Sequence, residues 1–352
     1  TPFHAEGGGQ IGDTGIITGA EGSIIVENTK KLPDGITYII GEVKEGIIRA
    51  GEEVNVVVDR DRREKLARNH TGTHMLQAAL RRVLGDQVNQ AGSLVLPDRL
   101  RFDFTWPEAL SAKQIREVED IVNAEIIKNT SVSINEMPID EAKNLGAMAL
   151  FGEKYGDIVR VVSVGEFSKE LCGGTHVSNT GELGSFRIIG ESGIGSGVRR
   201  IEAVTGWAAY EMMQEDRKLI NSAADALKSN STGILERIEK LQAELKKNKV
   251  QDELKELIQN AEVKNGVSIL GAVVHVDNIN ELREAADFVK AKLPVSAVIL
   301  GTAAGDKVNL VGMASPDAVK AGIHMGKVIS QAAKICGGGG GGKPANAQAG
   351  GK

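Results

Sequence analysis

The sequence predicts an α+β protein in four parts. These are a small β-barrel at residues 1–58, an α+β domain at 59–206, a helical hairpin linker at 207–263 and a small mixed α/β domain at 264–352. Three observations predict it. Short β-rich runs punctuated by turn residues fill the first part, and a proline-free stretch rich in Glu, Lys, Leu and Ala fills the third. Strand-like and helix-like segments alternate in the last part.

The barrel strands are Gly15–Thr18, Ser23–Val26, Ile36–Ile40 and Val54–Val58, with Gly22, Pro33-Asp-Gly35 and Gly51 at the turns. Residues 59–84 switch to helix-compatible composition. Leu66, His70, Thr73 and Leu80 fall close to one face, which turns the histidines inward. Strands follow around 88–95 and 99–105. Ser111 and Gln114 then form a capping box for a helix running to about Lys128, with Val118, Ile121, Val122 and Ile126 as its buried stripe. Ile158–Val164, Phe186–Ile189 and Arg200–Val204 complete the second part as strands. In the third part, Ile234, Ile238, Leu241 and Leu245, continued by Leu254 and Ile258, form an apolar seam. Asn230–Gly233 breaks it into two helices. Plain packing is the first reading of that seam, and a homodimer contact within residues 207–352 is the second. The last part reads βαββα, with one helix across Pro316–Cys336. Its run Gly337–Gly342 is too flexible for a core element and suits a linker.

Composition narrows the function classes. No run of 18 apolar residues exists, so no membrane span is expected. Two cysteines cannot make a disulfide framework, which places the chain in a reducing, cytoplasmic compartment. The net charge of −5 conceals a basic last part, where residues 264–352 carry 10 Lys+Arg against 6 Asp+Glu. A nucleic-acid partner must therefore be sought in local clusters. Arg60, Arg62, Arg63, Lys65 and Arg68, then Arg81 and Arg82, then Arg199 and Arg200 are such clusters. The first reading of each is a solvated face, and a phosphate contact is the second.

Two motifs carry the chemistry, His70-Thr-Gly-Thr-His74 and Cys172-Gly-Gly-Thr-His176. Each separates two metal-capable side chains by three residues. On a helix that spacing places His70 and His74 one turn apart, and Cys172 with His176 completes a four-point set of the kind Zn2+ accepts. A zinc peptidase would need a glutamate directly after the first histidine, and Thr71 stands there, so peptidase chemistry is excluded. Four ligands fill a tetrahedral shell and favour a structural metal. If one ligand stays away, an open position favours Lewis-acid chemistry.

Around these motifs, Thr1–Gly15, Asn69–His74, Asn89–Ser93, Arg101–Phe104, Cys172–Val177 and Gly197–Gly206 follow one another as in the editing region of alanyl-tRNA synthetases. Six motifs in register make the chain resemble that family along essentially its whole length. The resemblance implies hydrolysis of tRNA(Ala) mischarged with serine or glycine, with Thr73 and Gln90 shaping the pocket and Ser93 on the same motif. Gly7, Gly8 and Gly9 would bring backbone amides to the substrate, although the family often has serine where Gly7 stands. Arg199 from its basic cluster, and Lys320 and Lys327 from their charge and spacing, are candidate tRNA contacts, with an ordinary solvated surface as the alternative. Lys320, Lys327 and Lys334 recur every seven residues and would share one helical face. The start within a motif reads as a fragment lacking the aminoacylation core. A free-standing editing protein and a non-catalytic, zinc-stabilised tRNA-binding or dimerisation module remain the alternatives.

Overall fold

A computed structural model describes residues 1–148, 156–304 and 307–351. The chain divides into two compact units, Thr1–Leu219 and Ile220–Lys352. The first runs β1 (Gly15–Thr18), β2 (Glu21–Lys31), β3 (Thr37–Ile47), β4 (Asn55–Val58), α1 (Arg60–Leu84), β5 (Gln90–Val95) and β6 (Leu100–Thr105). It continues through α2 (Ala112–Ile127), β7 (Val132–Pro138), α3 (Ile139–Asn144), β8 (Ile158–Val164), β9 (Ser168–Leu171), β10 (Phe186–Gly195), β11 (Val198–Thr205) and α4 (Gly206–Ala226).

The expected barrel is instead an open antiparallel sheet ordered β3-β2-β1-β4. Closure requires the two edge strands to meet with a fixed stagger. Here β4 has four residues and β3 eleven, and the two do not pair. Apolar alternation marks strands, and it says nothing about whether their edges join.

The core of this unit lies between α1 with α2 and the antiparallel sheet β10-β11-β6-β5. Met75, Leu76 and Leu80 of α1 meet Leu100, Phe102 and Phe104 of β6, all fully buried. Truncating any of the leucines to alanine should cost about 2–5 kcal/mol. Gly72 lets α1 approach this sheet, because a Cβ there would lie 3.1 Å from Thr205 Cγ2 and 3.2 Å from Leu100 Cδ2. The capping box of α2 is present in both directions. A third sheet, β7-β8-β9, carries the loop that follows β9. Its outer strands β7 and β9 were absent from the sequence reading.

The second unit comprises α5 (Ile234–Gln259), β12 (Glu262–Lys264), β13 (Val267–Val273), α6 (Ile279–Lys292), β14 (Ser296–Ala304), β15 (Lys307–Ala314), α7 (Pro316–Lys320), α8 (Met325–Ile335), β16 (Gly339–Gly342) and β17 (Asn346–Gly351). They build one sheet, β12-β13-β14-β15-β17-β16, parallel only between β13 and β14. The helix break at Asn230–Gly233 is present, with the Asn230 side chain accepting from the Gly233 amide. Leu254 of α5 is buried with Val250, Leu257 and Ile258 against the core of α6, β13 and β14. Two of the six predicted seam residues, Leu254 and Ile258, are thus spent inside this unit.

Two expectations change here. The helix predicted across Pro316–Cys336 is two helices, separated at Gly322, whose φ of 98° ends α7. Lys320 closes α7 and pairs with Asp317 at 2.9 Å, while Lys327 and Lys334 lie on α8, so the three do not share one helical face. The glycine run is ordered too. Gly339–Gly342 is an edge strand paired with β17. Glycine is required there by close packing: a Cβ on Gly340 would lie 2.3 Å from the Ala349 Cβ. Composition alone reads such a run as coil because it carries no record of how near a neighbouring backbone comes.

Candidate metal centre and adjoining cleft

His70, His74, Cys172 and His176 each direct one donor atom to a common point, and these four atoms lie within 4.8 Å of one another. Helical spacing supplies the first pair, with rings stacked at 5.2 Å. The loop after β9 supplies the second pair. Arg160 on β8 shapes that loop by donating to the carbonyls of Cys172 at 2.9 Å and Gly174 at 2.7 Å. Cys172 Sγ lies 3.3 Å from both His70 Nε2 and His176 Nε2.

Each imidazole is oriented from behind. The His70 Nδ1–H donates to Gln10 Oε1 at 2.7 Å, an oxygen that also accepts from the Thr175 amide. The His74 Nδ1–H donates to Glu170 Oε2 at 2.5 Å, and Glu170 is held in turn by Ser168. His176 Nδ1 meets Thr71 Oγ1 at 3.1 Å. With these partners on Nδ1, each Nε2 is left toward the common point, where it would present its lone pair to a metal. His74 Nε2 is buried with no hydrogen-bond partner. A buried acceptor without a partner is costly, and a cation at the common point would satisfy it. The residues present fit a tetrahedral metal site of three imidazole nitrogens and one thiolate.

The electrostatics agree with this donor set. Burial alone would raise the Cys172 thiol, but the neighbouring His70 and His74 imidazoles and the contacts with His176 and His70 hold it far below its ordinary range, as thiolate. Burial, aided by the neighbouring His70, pushes His176 down to about 3, so it is a neutral ligand near pH 7. His74 departs from this pattern: burial opposes its charge, yet the Glu170 carboxylate raises it well above its usual value, so a metal bound there would displace its Nε2 proton.

Beside the cluster lies a cleft of about 260 Å³ lined by Gly8, Thr73, Gln90 and Ser93 together with His70, His74 and Cys172. Gln90 and Ser93 are three apart on one strand, a spacing that would ordinarily place them on opposite faces. A register shift between Gln90 and Gly92 makes Ala91 an extra residue, so Gln90 opposes Phe104 and Ser93 opposes Phe102 on one face. Thr73 Oγ1 donates to the Asn69 carbonyl at 2.8 Å, leaving its oxygen as an acceptor. Gln90 Nε2 donates to Ser93 Oγ at 3.3 Å, which leaves Gln90 Oε1 and the Ser93 hydroxyl hydrogen available. Gly7 and Gln10 bond each other across a two-residue turn, with Gly8 at φ 57° and Gly9 at φ 81°. That pair of positive φ values is the type I′ geometry that glycine favours.

Descriptions of three protein families match the chain: tRNA synthetases class II (A) at residues 1–62, the threonyl and alanyl tRNA synthetase second additional domain at 159–202, and the DHHA1 domain at 266–352. The alanine–tRNA ligase of Acetivibrio thermocellus is 49% identical over 362 aligned positions, and that of Bacillus velezensis 48%, each covering 100% of this chain and 41% of the relative. The chain belongs to the alanyl-tRNA synthetase family. It spans about two fifths of the length of these relatives. Among solved structures, the C-Ala domain of Aquifex aeolicus alanyl-tRNA synthetase shares 29% identity over 26% of this chain and 82% of that domain, with a TM-score of 0.25.

Against this alanyl-tRNA synthetase background, some expected site residues gather at the cleft and others do not. Thr73, Gln90, Ser93 and Gly8 line it with three of the ligands, while Gly7 and Gly9 face a neighbouring cleft. Arg199 does not line it. It lies on β11, paired with Glu191 at 2.5 Å. Lys320 and Lys327 belong to the second unit. The basic run before His70 is largely engaged within the protein: Arg62 donates to the Gly12 carbonyl, Arg63 pairs with Asp13, and Arg68 donates to the Glu182 carbonyl. Sequence reasoning missed Gln10, Glu170, Thr71 and Arg160. Gln10 and Glu170 are 60 and 96 residues from the histidines they orient. Glu170 has one sequence signal, its place two residues before Cys172, which many surface positions share, and Gln10 lies beside neither ligand motif.

Proposed function

We propose that this chain hydrolyses the ester of tRNA(Ala) mischarged with serine, and also with glycine, in the cleft beside the metal cluster. The observation that carries the reading is the meeting in one 260 Å³ cleft of Thr73, Gln90 and Ser93 with His70, His74 and Cys172. Water adds to the ester carbonyl, the bond to the ribose oxygen breaks, and the free amino acid and the RNA 3′ hydroxyl leave. The Thr73 oxygen and Gln90 Oε1 accept from the serine hydroxyl, and the Ser93 O–H donates to the ester carbonyl. Alanine offers no hydroxyl and would leave the acceptors unpaired, which is the physical basis for sparing the correct ester.

Zn2+ held by His70, His74, Cys172 and His176 would supply local positive charge and tie α1 to the loop after β9. Basic residues of the second unit would bind the tRNA backbone, in a cytoplasmic setting. The decisive assay offers Ser-tRNA(Ala), Gly-tRNA(Ala) and Ala-tRNA(Ala) to the purified chain. Rapid loss of the first two and persistence of the third is expected. Equal stability of all three would leave a non-catalytic tRNA-binding module.

A further inference from the structure

Beyond the Gly7–Gln10 turn lies a second cleft, of about 480 Å³, lined by Glu6, Gly9, Lys30, Lys31 and Ser93. Ser93 borders both clefts, so the two are contiguous across one side chain. The amide N–H groups of Gly8 and Gly9 at the tip of the turn are spent on no acceptor among the described residues. Lys30 Nζ stands 3.6 Å from Glu6 Oε2, with the two side chains 41% and 46% exposed. So long and exposed a pair contributes little and exchanges readily for a stronger anion. Lys31 has no ion pair among the described residues. Another part of the first cleft's lining is different in kind. Ile158, Val159 and Leu171 are apolar, and Arg160, the one cation there among the described residues, is held by two backbone carbonyls.

A polymer whose terminal ribose carries the ester must leave the first cleft over one of these rims. Among the described residues, the glycine turn is the rim that offers cations and free amides to phosphate. We propose that the second cleft holds the phosphodiester backbone of the single-stranded RNA leading to the esterified nucleotide, with Lys30 as phosphate contact and Glu6 as the carboxylate that the phosphate displaces. This rests on the reading of the first cleft as an ester-hydrolysing site.

The test uses the full chain with two substrates, Ser-tRNA(Ala) and the phosphate-free ester 3′-O-seryl-adenosine. For Lys30→Ala, KM for Ser-tRNA(Ala) should rise about fivefold at constant kcat, and the slope of log KM against log salt should fall by about 0.7. Hydrolysis of seryl-adenosine should not change. Glu6→Gln should act oppositely and lower KM for the tRNA, a sign that loss of a merely structural ion pair would not give. An unchanged KM in Lys30→Ala overturns the proposal, as does an equal loss on both substrates. If the wild-type chain cleaves neither ester, the hydrolase reading fails instead, and tRNA affinity then decides the cleft. Weaker binding by Lys30→Ala supports it, and wild-type affinity overturns it.

Discussion

Glu170 touches no donor atom of the metal cluster, yet it determines what His74 can be. Its carboxylate accepts the Nδ1–H at 2.5 Å and so aims Nε2 at the common point. Glu170→Gln should lower zinc affinity about 10- to 100-fold, the usual effect of losing such an outer partner. Competition with a chromogenic chelator measures it. Cys172→Ala should abolish stoichiometric zinc and ester hydrolysis together, checked by elemental analysis and the deacylation assay on one preparation. Metal-free, fully active protein would refute the ligand assignment. Gly174→Ala tests the same geometry sterically, because the added Cβ would lie 2.0 Å from His70 Cε1. The loop must then move off the ring, and zinc loss without gross unfolding is expected. The ligand pairs were legible in the sequence because each lies within five residues. Gln10 and Glu170 were not, because their partners are long-range and no local pattern encodes a long-range hydrogen bond.

At the scale of elements, local rules read well where they depend on neighbours along the chain. The capping box at Ser111 and Gln114, the buried stripe of α2 and the helical register of His70 and His74 all belong to this class. What escaped depended on contacts across space. One example is the extra residue Ala91 that turns Gln90 toward Ser93. Another is the unpaired edges that leave the first sheet open, and a third is the ordering of the glycine run. The glycine strand can be tested by contrast. Gly326→Ala would place a Cβ 2.1 Å from the Gly342 carbonyl oxygen, so α8 must lift from β16. A loss of about 1–3 kcal/mol is expected for such overpacking. Gly339→Ala meets nothing within 4 Å and should be close to neutral. Denaturant unfolding of the two variants compares them, and equal stability would show that α8 does not need the bare backbone of that strand.

Across the molecule, the two compact units have separate cores. One is built on Phe102, Phe104 and α1, and the other on Leu254, Leu282 and Leu300 with a small-residue cluster around Ile329. All four ligand residues sit in the first unit. A metal that binds only the folded state stabilises it by about 4 kcal/mol when present at a thousand times its dissociation constant. For a unit of this size each kcal/mol is worth about 2–4 °C. Calorimetry of the full chain should therefore show two transitions, of which a chelator lowers only one, by about 8–16 °C. The unmoved transition should be the one that Gly326→Ala lowers. Should the chelator shift both transitions equally, the cores unfold as one cooperative body, and the metal would hold the second unit as firmly as the first.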